Sequence, residues 1–266
     1  MRSLKIINEY GQSIELTGKV LINGIEGLGI TRENEYLAFR DRYSLARISH
    51  GLGDITLGLV FLEGYSGYKD FVLFISRAIK LFLEYKTMDT YLCKIAFKEI
   101  SKSEISFGSL QCNLLIVKLS NWYRNSEFSL EVSTTESDKE YPYVYSFTYG
   151  ANANGSIQIT NHGDSDAYMS LKIIGRTKNP RVVVNKNSET IGTFRLFYEG
   201  DDNVSMSSLP EDEYIKIGDE NAYQLQDFTC KNFLIVPKGE SEIVFHPGTS
   251  DPATCYIRLE ESFEGV

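Results

Sequence analysis

The chain has 266 residues, is 42% hydrophobic and 24% charged, and carries a formal net charge of −9. That length accommodates two average domains, each with a core of its own. An acidic chain without a Lys/Arg-rich run is a poor candidate for binding nucleic acid by phosphate neutralisation, and no apolar run approaches the roughly 20 residues that span a bilayer.

The first residues, MRSLKIINEYGQSIEL, have no apolar h-region or small-residue cleavage site, so no signal peptide is expected. The sequons at Asn154 and Asn203 accordingly carry little weight. Residues 30–50 are charged yet interleaved with Tyr36, Leu37, Phe39, Tyr43 and Leu45, which predicts an arm lying on a neighbouring subunit rather than a free loop. Phe39, Arg40, Arg42 and Tyr43 are its expected contact residues. Residues 55–61 read as a strand with Ile55, Leu57, Leu59 and Phe61 on one face. After the turn residues EGYSGYKD, the positions Phe71, Phe74, Ile75 and Ala78 give the apolar stripe of a short helix, with Ser66 or Gly67 as its cap. That helix runs without Gly or Pro into an alternating strand, Leu81, Leu83 and Tyr85. Tyr91, Cys93, Ile95 and Phe97 alternate again, the turn SKSE (101–104) follows, and a long strand covers 109–119.

Composition shifts at VSTTESDKEYPY (132–143), where a linker over 133–140 is placed between domains 1–132 and 141–266. Charge agrees: residues 1–133 hold 16 Lys and Arg against 15 Asp and Glu, residues 134–266 hold 11 against 21. Beyond the linker, YVYSFTY, SIQIT, YMSLKII, RVVVN, TFRLFY, YIKI, NFLIV, SEIVF and TCYIRL are short strands separated by turn residues, the pattern of a two-sheet sandwich. The fold class is therefore mainly β: two β-sandwich domains, the first with one short helix packed on its sheet.

Chemistry-bearing motifs are sparse. NGIEGLG is spaced GxxGxG, and HGLGDITLG leads into a strand where a phosphate cradle needs a helix N-terminus. Asp201 with Asp202, and Asp164 with Asp166, lack a calcium-loop pattern and read as solvated turns. His50, His162 and His246 lack ligand spacing, so no metal or cofactor is expected. Cys93 and Cys112 sit in apolar alternation as reduced core thiols, no CxxC pair exists among the four cysteines, and no GxSxG elbow is present. No catalytic residue is predicted. Aromatics are the positive feature, 17 Tyr and 15 Phe against one Trp.

Asp70-Phe71, Tyr85, Lys102 with Glu104, and Trp122-Tyr123, with His50-Gly51-Leu52-Gly53 upstream, together resemble the N-terminal domain of the distal tail protein (Dit) family of long-tailed, siphovirus-type bacteriophages. YPYVYSF (141–147), ITNHGDSDAYMSLKIIG (159–175) and Gly175, Asn179 and Pro180 resemble that family's galectin-like C-terminal domain. The resemblance implies a structural hub of the virion's tail tip, made in the bacterial cytoplasm and closing into a hexameric ring. Its implied partners are further copies of itself, the tail tube protein, the tail-associated hub or lysin protein, and receptor-binding or other baseplate proteins. Two rival readings remain: a carbohydrate-binding module, marked by a concave face with exposed Tyr or Trp among polar groups, and a cell-wall hydrolase, which needs a metal or carboxylate site.

Overall fold

The computed structural model describes residues 2–30, 32–50, 53–132 and 155–266. The expected linker 133–140, the expected strand YVYSFTY, Gly51, Leu52 and Asn154 lie outside them. Contacts divide the chain into two compact units, Met1–Arg124 with Phe263–Val266, and Asn125–Ser262.

The first unit is built from β1 (Ser3–Asn8), β2 (Ser13–Glu15), β3 (Val20–Glu26), β4 (Arg32–Phe39), β5 (Arg42–His50) and β6 (Asp54–Phe61). Helix α1 (Tyr65–Arg77) follows, then β7 (Leu81–Lys86), β8 (Thr90–Lys102), β9 (Leu110–Lys118) and the start of β10 (Trp122–Val132). The antiparallel order β2–β1–β7–β8 meets a second run, β3–β6–β9, on the long strand β8. Residues 90–95 of β8 pair with β7, and residues 95–102 pair with β9. Inward-facing Leu4, Ile6 and Leu83 from one run, and Ile55, Leu57 and Leu114 from the other, fill a common core. The alternation expected from the sequence is followed in β6, β7 and β9, and in β8 as far as Ile95. The register shifts between Phe97 and Glu99, which turns Phe97 off the core side its alternation predicts and leaves it 42% exposed.

The helix lies where its stripe predicts, with Phe71 and Ile75 buried and Phe74 and Ala78 packed against the core. Its start differs from expectation. Gly64 is the N-cap, at φ 56 and without a side-chain cap bond, so neither Ser66 nor Gly67 caps it. The left-handed turn at Gly64 lets Tyr68 N–H reach the Gly64 carbonyl at 3.2 Å immediately after β6 ends. At the other end, Ala78 is extended, and the following amides of Ile79 and Lys80 donate to the Glu9 carboxylate at 3.1 and 3.3 Å. A carboxylate from the β1–β2 turn thus does at this join what Gly or Pro does at others.

Those amide bonds, that of Ile79 first, hold the Glu9 carboxyl below its ordinary pKa. A depressed native pKa gives stability that is present above the unfolded value and lost as pH falls through the native one. Glu9→Gln is therefore expected to cost some thermal stability at pH 7. The gap to wild type should shrink in melts taken below about pH 4, as pH drops under the ordinary glutamate value of about 4.3.

The second unit comprises the rest of β10, β11 (Gly155–Asn161), β12 (Ala167–Gly175), β13 (Thr177–Lys178), β14 (Arg181–Lys186) and β15 (Glu189–Arg195). It continues with β16 (Glu199–Gly200), β17 (Val204–Leu209), β18 (Asp212–Ile217), β19 (Glu220–Asn221), β20 (Ile235–Val236), β21 (Gly239–His246) and β22 (Ala253–Phe263). One sheet runs β19–β18–β17–β12–β22–β10, and the other runs β11–β21–β14–β15. Met169, Leu171, Val204, Met206 and Ile257 from the first meet Ile159, Val182, Phe194, Ile243 and Phe245 from the second. The sandwich was predicted, but β17 was not, because its sequence VSMSSL hides two core side chains among three serines. Only Ile235 and Val236 of NFLIV form a strand; Asn232 instead accepts the Arg195 amide at 2.9 Å and donates to the Asp227 carbonyl at 2.7 Å.

The turn after β21 depends on glycine. Gly248 has φ 77, and a Cβ there would overlap the Lys178 carbonyl oxygen. Gly248→Ala is expected to cost at least about 1–3 kcal/mol from the backbone conformation and the clash together, read as a lowered melting temperature.

Candidate interaction surfaces

Among the described residues, strands β4 and β5 pair only with each other. They are joined by a tight turn in which Arg40 sits at φ 55. Opposed residues in an antiparallel pair share a face. The pairs Phe39–Arg42 and Leu37–Ser44 therefore lie on one side, and Ala38–Tyr43 and Tyr36–Leu45 on the other. Large apolar groups thus occupy both faces, with Phe39 60% and Tyr43 78% exposed. At the base, Arg32 donates to the Glu264 carboxylate at 2.8 Å. The four expected contact residues are thus brought together: Phe39, Arg40, Arg42 and Tyr43 form the tip of a two-stranded projection.

The second surface is a groove of about 770 Å³ on the outer face of the β18–β17–β12–β22 sheet. Register sets its shape. Across the strands, one row reads Lys216, Ser205, Lys172, Tyr256, and the next reads Tyr214, Ser207, Ser170, Arg258. Ser170 and Ser205 on the two central strands make a low floor, with Ser170 Oγ 3.2 Å from the buried Ser207 Oγ, and longer side chains from β18 and β22 make the walls. Lys216 lies over the Tyr214 ring at 4.5 Å from its centroid. Glu127, Asp212 and Asp219 complete the rim. Sequence reasoning passed over this site. The outward positions of β12 and β22 were legible from alternation, but not that β17 lies beside β12.

Several other titratable groups hold structure. Cys93, Cys112 and Cys255 are buried free thiols, and burial pushes Cys93 and Cys112 up and Cys255 up to about 12, away from thiolate chemistry. In the NHGDSD loop, Asn161 Nδ2 donates to the Ser165 and Val236 carbonyls at 2.9 and 3.0 Å, while its Oδ1 accepts the Gly163 amide. Asp164 of that loop pairs with Lys238 at 3.6 Å. Asp202 accepts from the Tyr198 hydroxyl at 3.1 Å. The fully buried Glu261 accepts from Ser126 Oγ at 2.8 Å and from the His162 amide at 2.7 Å. Among the described residues no three His, Cys, Asp or Glu side chains are grouped to hold a metal ion.

Two β-rich units, one bearing a helix and a two-faced projecting hairpin and the other a polar sheet groove, define a protein of the assembly or binding kind. Residues 3–119 match the family described as distal tail protein, N-terminal domain. Among solved structures, a chain of the phage P2 baseplate in its activated conformation with Ca superposes with a TM-score of 0.68 at 17% identity, covering 100% of both chains. The SPP1 Dit protein, described as a paradigm of the hub adsorption apparatus in phages infecting Gram-positive hosts, gives a TM-score of 0.64 at 10% identity, covering 98% of this chain and 99% of that one. At such identities the likeness is one of fold. No curated protein matches the sequence.

Proposed function

We propose that this protein is a structural hub of a phage tail tip, in which copies close into a ring, most simply a hexamer, through the β4–β5 arm. In the virion the ring joins the tail tube protein to the tail-associated hub or lysin protein, and the second unit, taken as galectin-like, carries receptor-binding or other baseplate proteins. The family match over residues 3–119 supports the tail setting, and the fold shared with baseplate proteins agrees with it. The observation that carries self-assembly is the arm. An isolated two-stranded hairpin is marginal in water, and this one exposes Tyr36, Leu37, Phe39, Tyr43 and Leu45 on both faces. A contact that joins unlike surfaces around a closing rotation makes a ring, and an arm lying on the next subunit is such a contact.

Light scattering on the purified chain, with negative-stain imaging of the same sample, tests this reading. A mass of six chains and rings with a central hole are expected. A monomer at every concentration, alone and mixed with its tail tube protein, overturns it.

A further inference from the structure

We infer that the groove over β18, β17, β12 and β22 is a binding site for an uncharged oligosaccharide, a role separate from ring formation. The groove has about 770 Å³, within the range of roughly 300–1,000 Å³ for small-ligand clefts. Its outward side chains repeat on the sheet grid, about 4.8 Å between strands and about 7 Å between alternate residues along a strand. That is the scale of a hexose ring and its hydroxyls.

The lining chemistry selects the ligand class. Three cations, Lys172, Lys216 and Arg258, are matched by three carboxylates, Glu127, Asp212 and Asp219, so the groove carries no net charge. None of the six makes an ion pair among the described residues. Donors and acceptors thus stand apart from one another, separated by the serine floor. A sugar hydroxyl both donates and accepts, so it is satisfied by lysine or arginine on one side and carboxylate or serine on the other. Tyr256, 49% exposed at the end of the Lys172 row, presents a ring face to the C–H side of a pyranose, and Tyr214 at the other wall, its ring covered by Lys216, adds its hydroxyl. A polyanion would gain from the cations but meet the three carboxylates at the rim. An apolar peptide would strip water from the hydroxyls and charges of the lining without replacing their hydrogen bonds.

The test is calorimetric titration of the full chain with a panel of neutral oligosaccharides (gluco-, galacto-, manno- and chito-hexaoses), with a phosphate-bearing wall polymer run alongside. At up to about 10 mM ligand, one or more neutral members should bind with a Kd at or below the millimolar level. Tyr256→Ala should weaken that binding about tenfold and Lys172→Ala about fivefold, from the lost ring face and the lost charged hydrogen bond. Tyr256→Phe, which keeps the ring, should retain binding and guards against a folding defect. Phe228→Ala, on an exposed aromatic outside the lining, should leave it unchanged. Absence of binding across the panel overturns the inference, as does binding that ignores both alanine variants. Binding of the phosphate polymer alone also overturns it, assigning the groove to anions instead.

Discussion

Replacing residues 33–47 with a short Gly-Ser turn is expected to abolish self-association while leaving each subunit folded. Among the described residues, β4 and β5 pair as strands with each other alone, and no buried core residue described in the first unit lies within residues 33–47. Their loss should therefore change the unfolding free energy by no more than about 0.5 kcal/mol, the range of surface changes that touch no core or network. The cost falls on association instead. Aromatic anchors at the centre of an interface carry about 2 kcal/mol or more each, so Phe39→Ser or Tyr43→Ser alone should weaken assembly at least about thirtyfold. Light scattering against concentration reads both quantities. A ring that survives the deletion sinks the arm, and a subunit that unfolds without it shows the hairpin to be part of the core.

How far the sequence discloses this molecule depends on whether a feature is local. Strand β6, helix α1 and strand β7 were legible because burial there follows period 2, then 3.6, then 2 again. Leu81, Leu83 and Tyr85 alternate inward just as Ile55, Leu57, Leu59 and Phe61 do. The cap of α1 was misread because Ser66 looks like a capping side chain, whereas the chain turns at Gly64 by backbone conformation alone. The grip of Glu9 on the Ile79 amide spans 70 residues and leaves no local trace. The β4–β5 hairpin left a trace as apolar residues interrupting a charged stretch, but its two-faced character appears only once Phe39 pairs with Arg42 and Tyr36 with Leu45. The groove was the least legible. Its floor depends on β12 pairing with β17, which sets Lys172 against Ser205, and its wall joins Ser170 to Arg258 on a strand near the C-terminus.

The same logic identifies the residue on which the first unit leans most. Phe61 ends β6 fully buried, with Tyr68 and Phe71 of α1 set against its ring edge-on at centroid distances of 5.7 and 5.4 Å. A helix of 13 residues is marginal in isolation, so α1 depends on this contact and on the burial of Phe71 and Ile75. Phe61→Ala should cost about 3–5 kcal/mol, from lost transfer energy plus the cavity left between helix and sheet. Phe61→Leu, which refills most of that volume, should cost about 1–2 kcal/mol. Against a typical domain stability of about 5–15 kcal/mol, the alanine variant brings the first unit close to its threshold. The protein carries its own reporter for this. Its one tryptophan, Trp122, is fully buried in the core of the first unit, so its fluorescence in urea follows that unit. The near-ultraviolet dichroism of the tyrosines also reports on the second unit, whose core is separate. Phe61→Ala should move the tryptophan transition to lower urea and leave a later tyrosine transition in place. Equal displacement of both would mean that the two units unfold as one.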